Sequence, residues 1–231
     1  MNTPVIEVRI WGQRVGAVAP DPRLGCYVFA YDPAWRRSGI ELAPLTMPLA
    51  DPRPSFAFPE LSDAGYKRLP GLLADALPDD FGNALIDAWM SARGVERRAV
   101  TTLDRLAYMG RRGMGALEFK PARGAHRESA EPLAMKSLVE SARRIIRADL
   151  QAQAALANII RVGTSAGGAR AKAVVAWHPQ TGEIRSGQFD AAPGFEHWLL
   201  KFDGVGKDAE LGGSADYGRI EYAYHLMATA A

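Results

Sequence analysis

Gly163-Thr-Ser-Ala-Gly-Gly-Ala-Arg-Ala-Lys172, running straight into Ala173-Val-Val-Ala-Trp177, is the stretch on which the reading of this chain turns. Three glycines among small side chains let backbone N–H groups approach an anion closely, as a phosphate requires. An ordinary flexible connector between a helix and a strand fits the same composition. Gly163-Thr-Ser165-Ala-Gly167 also matches the G-x-S-x-G pattern of a hydrolase nucleophile elbow. That chemistry needs a strand before the serine and a helix after it. Here the order is reversed, and Asp203 and His225 downstream supply a Ser…Asp…His order that chance meets easily.

Working downstream, Ala171–Trp177 and Glu183–Phe189 read as two strands joined by the turn His178-Pro-Gln-Thr-Gly182. His197-Trp-Leu-Leu-Lys-Phe202 reads as a third strand, and Arg219–Ala230 as a helix beyond a glycine-rich loop. A glycine-rich loop, a hairpin, a third strand with Lys201 and a helix with Glu221 is the order of a protein-kinase N-lobe. In that arrangement the strand lysine holds the ATP phosphates and pairs with the helix glutamate. Lys201 sits among apolar neighbours, where an unpaired ammonium is costly. Glu221 lies with Tyr217, Ile220, Tyr224 and Ala228 at helical spacing, which predicts a shared buried stripe. The bland alternative is an edge-strand lysine and a surface glutamate, both in solvent.

Upstream, Leu138, Ala142, Ile145, Ile146, Leu150, Leu156 and Ile160 mark a long helix. The polar, turn-rich residues 121–132 are the candidate boundary, giving units of 1–125 and 126–231. In the first unit, Val5–Trp11, Arg14–Val18 and Cys26–Tyr31 read as strands, with Gly12-Gln13 as a turn. Residues 42–59 hold five prolines and predict extended loop. Phe81, Leu85, Ala88, Trp89 and Ala92 recur at helical spacing after Pro78-Asp79-Asp80. Thr101-Thr-Leu-Asp104 predicts a capping box opening a helix to Met109, and Ala116–Lys120 a closing strand. The fold class is therefore α+β: a small antiparallel strand-plus-helix N-terminal subdomain, then an incomplete protein-kinase-like N-lobe.

The composition fits. The chain has 231 residues, of which 48% are hydrophobic and 23% charged, which excludes general disorder. A net charge of +2 does not by itself argue for nucleic acid or membrane. One cysteine, Cys26, excludes an internal disulfide, and no apolar run reaches the roughly 20 residues of a bilayer span. With no signal-peptide pattern at Met1, a cytoplasmic protein is expected. His126, His178, His197 and His225 have no ligand spacing, so no metal site is expected. Arg93, Arg97 and Arg98, or Arg143, Arg144 and Arg147, could face DNA or an acidic partner; solvated helix faces are the plainer reading.

Read together, Arg161–Lys172, His197–Phe202 and Glu221-Tyr-Ala-Tyr-His-Leu226 resemble the HipA family of toxin–antitoxin serine/threonine kinases. Trp11-Gly-Gln-Arg-Val-Gly16 resembles that family's opening hairpin, Pro70–Asp80 its "LPD" stretch, and Leu106–Leu117 its "IGRDxxGAL" segment. The resemblance implies a phosphate-cradling loop at Ser165, Ala166, Gly167, Gly168 and Ala169, with Lys201 on the ATP phosphates and Glu221 as its ion-pair partner. It implies autophosphorylation at Ser165, where added negative charge would oppose the ATP phosphates; Thr164 is an adjacent hydroxyl. Lys172 and Arg170 would add positive charge near the phosphates, or else be solvated. ATP and Mg²⁺ are the implied cofactors. The implied partners are a helix-turn-helix antitoxin, a protein substrate of the translation machinery and, through the antitoxin, promoter DNA, with no membrane. The sequence stops at Ala231, inside the helix expected to carry Glu221. No catalytic residue or metal ligand is therefore expected within it, since those groups belong to a C-terminal lobe. The rival expectation is a non-catalytic homologue that holds an antitoxin or other partner.

Overall fold

The structure is a computed structural model that describes residues 3–113, 115–123, 137, 138, 140, 141, 172–187, 192–202 and 216–231. It combines helices with two antiparallel sheets, the predicted α+β class. The chain forms two compact units, one from residues 1–78 and 94–126, the other from 79–93 and 127–231.

The first unit is built on strands β1 (Ile6–Ile10), β2 (Gln13–Asp21), β3 (Cys26–Tyr31) and β4 (Glu118–Lys120), in the order β3-β2-β1-β4. Alternation explains the strands. Ile6, Val8 and Ile10 are buried, while Glu7 and Arg9 between them point the other way and form an ion pair. The β1–β2 turn consists of Trp11 and Gly12, one residue earlier than Gly12-Gln13, and Ile10 faces Gln13 across it. Both turn residues have positive φ (51° and 74°), the conformation whose twist suits a two-residue hairpin. Gly16 lies where β2 crosses Phe29: an added Cβ would sit 2.7 Å from the ring and clash with the Ala30 carbonyl.

Short helices cover this sheet. Asp32 caps α1 (Pro33–Ser38), and Gly39 ends it in the left-handed region. The proline-rich stretch is loop as predicted, except that Phe56 exchanges backbone hydrogen bonds with Phe29 at 2.9 and 2.7 Å. Helices α2 (Asp63–Tyr66) and α3 (Gly71–Ala74) follow, then α5 (Thr102–Met109), opened by the predicted capping box of Thr101 and Asp104. Trp35, Phe56, Leu103, Leu106 and Phe119 join the strand residues in one core.

The second unit contains α4 (Asp80–Ser91) and a sheet of β5 (Lys172–Trp177), β6 (Ile184–Ser186) and β7 (Glu196–Lys201), in the order β6-β5-β7. Phe81, Leu85, Ile86, Trp89 and Met90 are the buried stripe of α4. His178 to Gly182 closes the β5–β6 hairpin, where Gly182 has φ +71°. A last helix, α6, spans Tyr217–Ala230. Of the long helix predicted from Leu138 to Ile160, only Leu138, Glu140 and Ser141 lie among the described residues; all three are helical, and Leu138 and Ser141 are buried.

Candidate functional site

The β5–β7 ladder sets the geometry. Its register pairs Ala173 with Leu200, Val175 with Trp198 and, at one end, Lys172 with Lys201. Directly opposed residues of an antiparallel pair project from the same face with Cβ atoms about 4.5–5.5 Å apart, so two ammonium groups here repel. Each is given a carboxylate of its own. Lys201 Nζ donates to Glu221 Oε2 at 2.8 Å, and Lys172 Nζ donates to Asp79 Oδ2 at 2.6 Å.

The two ion pairs differ in burial. Lys201 and Glu221 are 41% and 48% exposed, whereas Lys172 and Asp79 are each 3% exposed. An exposed pair contributes about 0–1 kcal/mol, because water screens it. Removing one partner of a buried pair costs about 3–5 kcal/mol, because the other charge is left without compensation. Asp79 is fixed a second time: its Oδ1 accepts from Gly82 N at 2.8 Å and caps α4. The outcome is a held ammonium inside and, across the ladder, an ammonium open to water that an anion can reach.

The sequence reading and the structure meet at Lys201 and Glu221, which the fold brings into contact across 20 positions of sequence. Two expectations about their surroundings are corrected. Lys201 is not enclosed by apolar neighbours, since β7 is exposed along most of its length. Glu221 does not lie on a buried stripe, since α6 has no buried residue and Ile220 and Tyr224 are 44% and 67% exposed. The reason is visible in the helix, where Tyr222, Leu226 and Met227 put apolar side chains outside the predicted stripe as well. Ser165, Ala166, Gly167, Gly168 and Ala169, with Thr164 and Arg170, lie outside the described residues.

Of the two expectations for Lys172, the solvated one is corrected. It is 2% exposed as a residue and its ammonium is held by Asp79, so a solvated role is excluded. Asp79 was legible only as a helix start; nothing local in Leu77-Pro-Asp79 announces a partner 93 positions away. Of the basic residues weighed, Arg143, Arg144 and Arg147 lie outside the described residues, and the others belong to different units. Arg93 stacks 3.8 Å over Trp89 in the second unit. Arg97, Arg98 and Arg105 line an open hollow of the first unit with Glu96, whose carboxylate Arg98 meets at 2.6 Å. Arg112 lies over the Tyr108 ring at 4.5 Å, and burial holds its guanidinium below its ordinary value. Among the described residues, no three His, Cys, Asp or Glu side chains converge as a metal site, and no helix is long and apolar enough to cross a membrane.

Comparison with known proteins bears on the first half of the chain. Residues 6–120 match the HipA N-terminal domain family. No curated protein matches the chain. The matched segment contains the four-stranded sheet, the Trp11-Gly12 turn, the Leu77-Pro-Asp79 corner with α4, and the capping box of α5. It ends at the last residue of β4. The chain therefore carries a HipA N-terminal domain over residues 6–120 and through it belongs to the HipA family.

Proposed function

We propose that this chain supplies the N-terminal subdomain (1–125) and the phosphate-holding part (126–231) of a HipA-like serine/threonine-protein kinase toxin. The observation that carries the reading is the Lys201–Glu221 contact, with the lysine on the third strand of its sheet and the glutamate on the helix that follows. A half-exposed ammonium oriented by a carboxylate suits an anionic phosphate group. Mg-ATP would supply the transferable phosphoryl group. Lys201 would hold its phosphates, Glu221 would keep Lys201 oriented, and the backbone of residues 165–169 would cradle the phosphates as the family's loop does. The parent activity would be phosphorylation of a protein of the translation machinery, with growth arrest as its outcome. Ser165 would be the site of self-modification. A helix-turn-helix antitoxin would restrain the toxin and carry it to promoter DNA, in the cytoplasm.

The test is the intact mass of the full gene product after incubation with Mg-ATP, beside Lys201→Ala and Ser165→Ala. One added phosphate in the wild type, absent from both variants, is the expected result. A gain that persists in Ser165→Ala moves the site, with Thr164 next; no gain in any of the three overturns phosphoryl transfer. A second reading, a partner-binding module without chemistry, is favoured by one observation. Trp198, Leu199, Tyr222, Leu226 and Met227 place exposed apolar surface on β7 and α6.

A further inference from the structure

We infer that the hollow lined by Glu96, Arg97, Arg98 and Arg105 binds the dianion of a phosphate monoester, a site that rests on the first unit alone and not on the kinase reading. The backbone that builds it is local. Ala99 N donates to Glu96 O at 2.9 Å and Val100 N to Arg97 O at 3.2 Å, which winds Arg97–Ala99 into one 3₁₀ turn. Arg105 lies one turn into α5, its N–H donating to the carbonyl of the Thr101 cap at 3.2 Å. All four described lining residues are charged, three guanidinium groups and one carboxylate, around an open space of about 600 Å³. The net charge of +2 conceals how charge is distributed along the chain. Residues 94–126 hold seven Lys and Arg against three Asp and Glu, whereas residues 1–78 hold eight of each.

Arg98 is the residue best placed to reach a ligand. Its side chain is 86% exposed, and Nε alone meets Glu96, so its two Nη atoms make no hydrogen bond among the described residues. Arg97 and Arg105 engage other groups as well. A guanidinium carries five N–H donors, and a carboxylate facing it takes two of them, so an engaged arginine keeps donors for an oxyanion. Its planar fork matches phosphate oxygens two at a time. Charge then selects the ligand: three cations and one anion match a monoester, which carries about two negative charges near neutral pH, better than a diester, which carries one. Sites for small organic molecules are walled mainly by apolar side chains, and no described residue lining this hollow is apolar, so the phosphate itself is the group recognised. Its bearer is either a phosphorylated side chain of a protein or a free phosphate.

The test titrates the whole chain into a fluorescent pentapeptide with one central phosphoserine, beside the same peptide with serine or glutamate, read by anisotropy at low salt. The phosphopeptide is expected to bind at least about tenfold more tightly than either. Arg98→Ala should weaken it about tenfold, the low end for a charge-assisted hydrogen bond. Arg98→Lys should restore only part of that, because an ammonium keeps the charge without the fork. Glu96→Gln should act in the opposite direction and tighten binding, since it removes an anion beside the ligand. Both positions are exposed, so these variants should melt with the wild type. Arg37→Ala, at an exposed arginine of α1, should change nothing. Free phosphoserine and inorganic phosphate compete in the same titration. Competition that needs concentrations about tenfold above the unlabelled phosphopeptide assigns a phosphorylated protein segment, and competition at equal concentration assigns a free phosphate; either upholds the site. No preference for phosphoserine over serine, or a preference unmoved by Arg98→Ala and Glu96→Gln, would overturn the inference. So would a DNA duplex that binds more tightly than the phosphopeptide and loses that affinity in Arg98→Ala, which would give the hollow to a diester backbone instead.

Discussion

Asp104→Asn is the substitution whose cost follows most directly from the coordinates. The Asp104 carboxylate is 1% exposed and accepts four hydrogen bonds: from Thr3 N (3.0 Å) and Thr3 Oγ1 (2.5 Å) on Oδ1, and from Thr101 N (3.1 Å) and Thr101 Oγ1 (2.8 Å) on Oδ2. It therefore ties the strand-leading segment at Thr3 to the cap of α5, which is 101 positions away. An asparagine presents one acceptor oxygen and one NH₂ group. Whichever way it turns, a backbone N–H of Thr3 or Thr101 faces a donor. A hydroxyl can rotate to accept from the NH₂; a backbone N–H cannot. One orphaned buried donor costs about 1–3 kcal/mol, and weakening the remaining bonds from charged to neutral adds about 1 kcal/mol. At roughly 4 °C per kcal/mol for a unit of about 110 residues, the first unit should melt about 10 °C lower. Differential scanning calorimetry is the assay, because the two units can unfold separately. Thr3→Val, which removes one hydroxyl bond, should cost only about 1 kcal/mol. A shift below about 2 °C for Asp104→Asn would mean that this carboxylate does not hold the segment, and the reasoning fails.

Three further outcomes are expected. Gly16→Ala should destabilise the first unit by about 3 kcal/mol or more, because the new methyl meets the Ala30 carbonyl and the Phe29 ring at 2.7 Å, and backbone cannot move aside; urea midpoints measure it, and a loss under 1 kcal/mol would contradict the close approach. The Tyr31 phenol, which donates to the Met47 carbonyl at 3.1 Å, is held above the ordinary phenol value mainly by burial, with Glu41 adding to the rise and Arg36 opposing it. A group whose value is raised on folding stabilises fully below its unfolded value and loses that contribution as the pH climbs, so stability should fall above pH about 10. Tyr31→Phe should flatten that alkaline limb, and an unchanged limb would assign it to other groups. Lys201→Ala should cost no more than about 1 kcal/mol of stability, since its ion pair is half exposed; a larger loss by thermal unfolding would show that the pair is structural rather than available to a ligand.

What was legible in the sequence was local. Alternation over Ile6, Val8 and Ile10, the proline spacing, the capping box at Thr101 and the helical period from Phe81 to Trp89 each depend on neighbours within a few residues, and each was found where expected. Lys201 and Glu221 were legible because an ordered set of elements placed them. What could not be read depends on pairing across long separations. The register that sets Lys172 against Lys201, and the Asp79 carboxylate that pairs with Lys172, leave no mark in the local pattern. The burial of Glu221 was misjudged for a related reason: period alone identifies an apolar face of α6 but not whether other residues pack on it. The turn at Trp11 was misplaced by one residue, because a bulky aromatic at positive φ is a position that propensity argues against.

The interleaving of the two units has a consequence for the order in which the chain is made. β1 finds β2 within a few residues but must wait for β4, more than 100 positions later, to complete its sheet. Helix α4 emerges during that wait and belongs to the other unit, whose first described strand begins only at Lys172. Roughly 80 residues separate the end of α4 from β5, which at about 5–20 residues per second is on the order of 4–16 s of synthesis. Throughout that interval the described sheet of the unit to which Phe81, Leu85, Ile86, Trp89 and Met90 belong has not yet been made. The nascent chain is most vulnerable to chaperone capture and to misassociation there, at a helix that the first half of the sequence encodes and the second half must shelter.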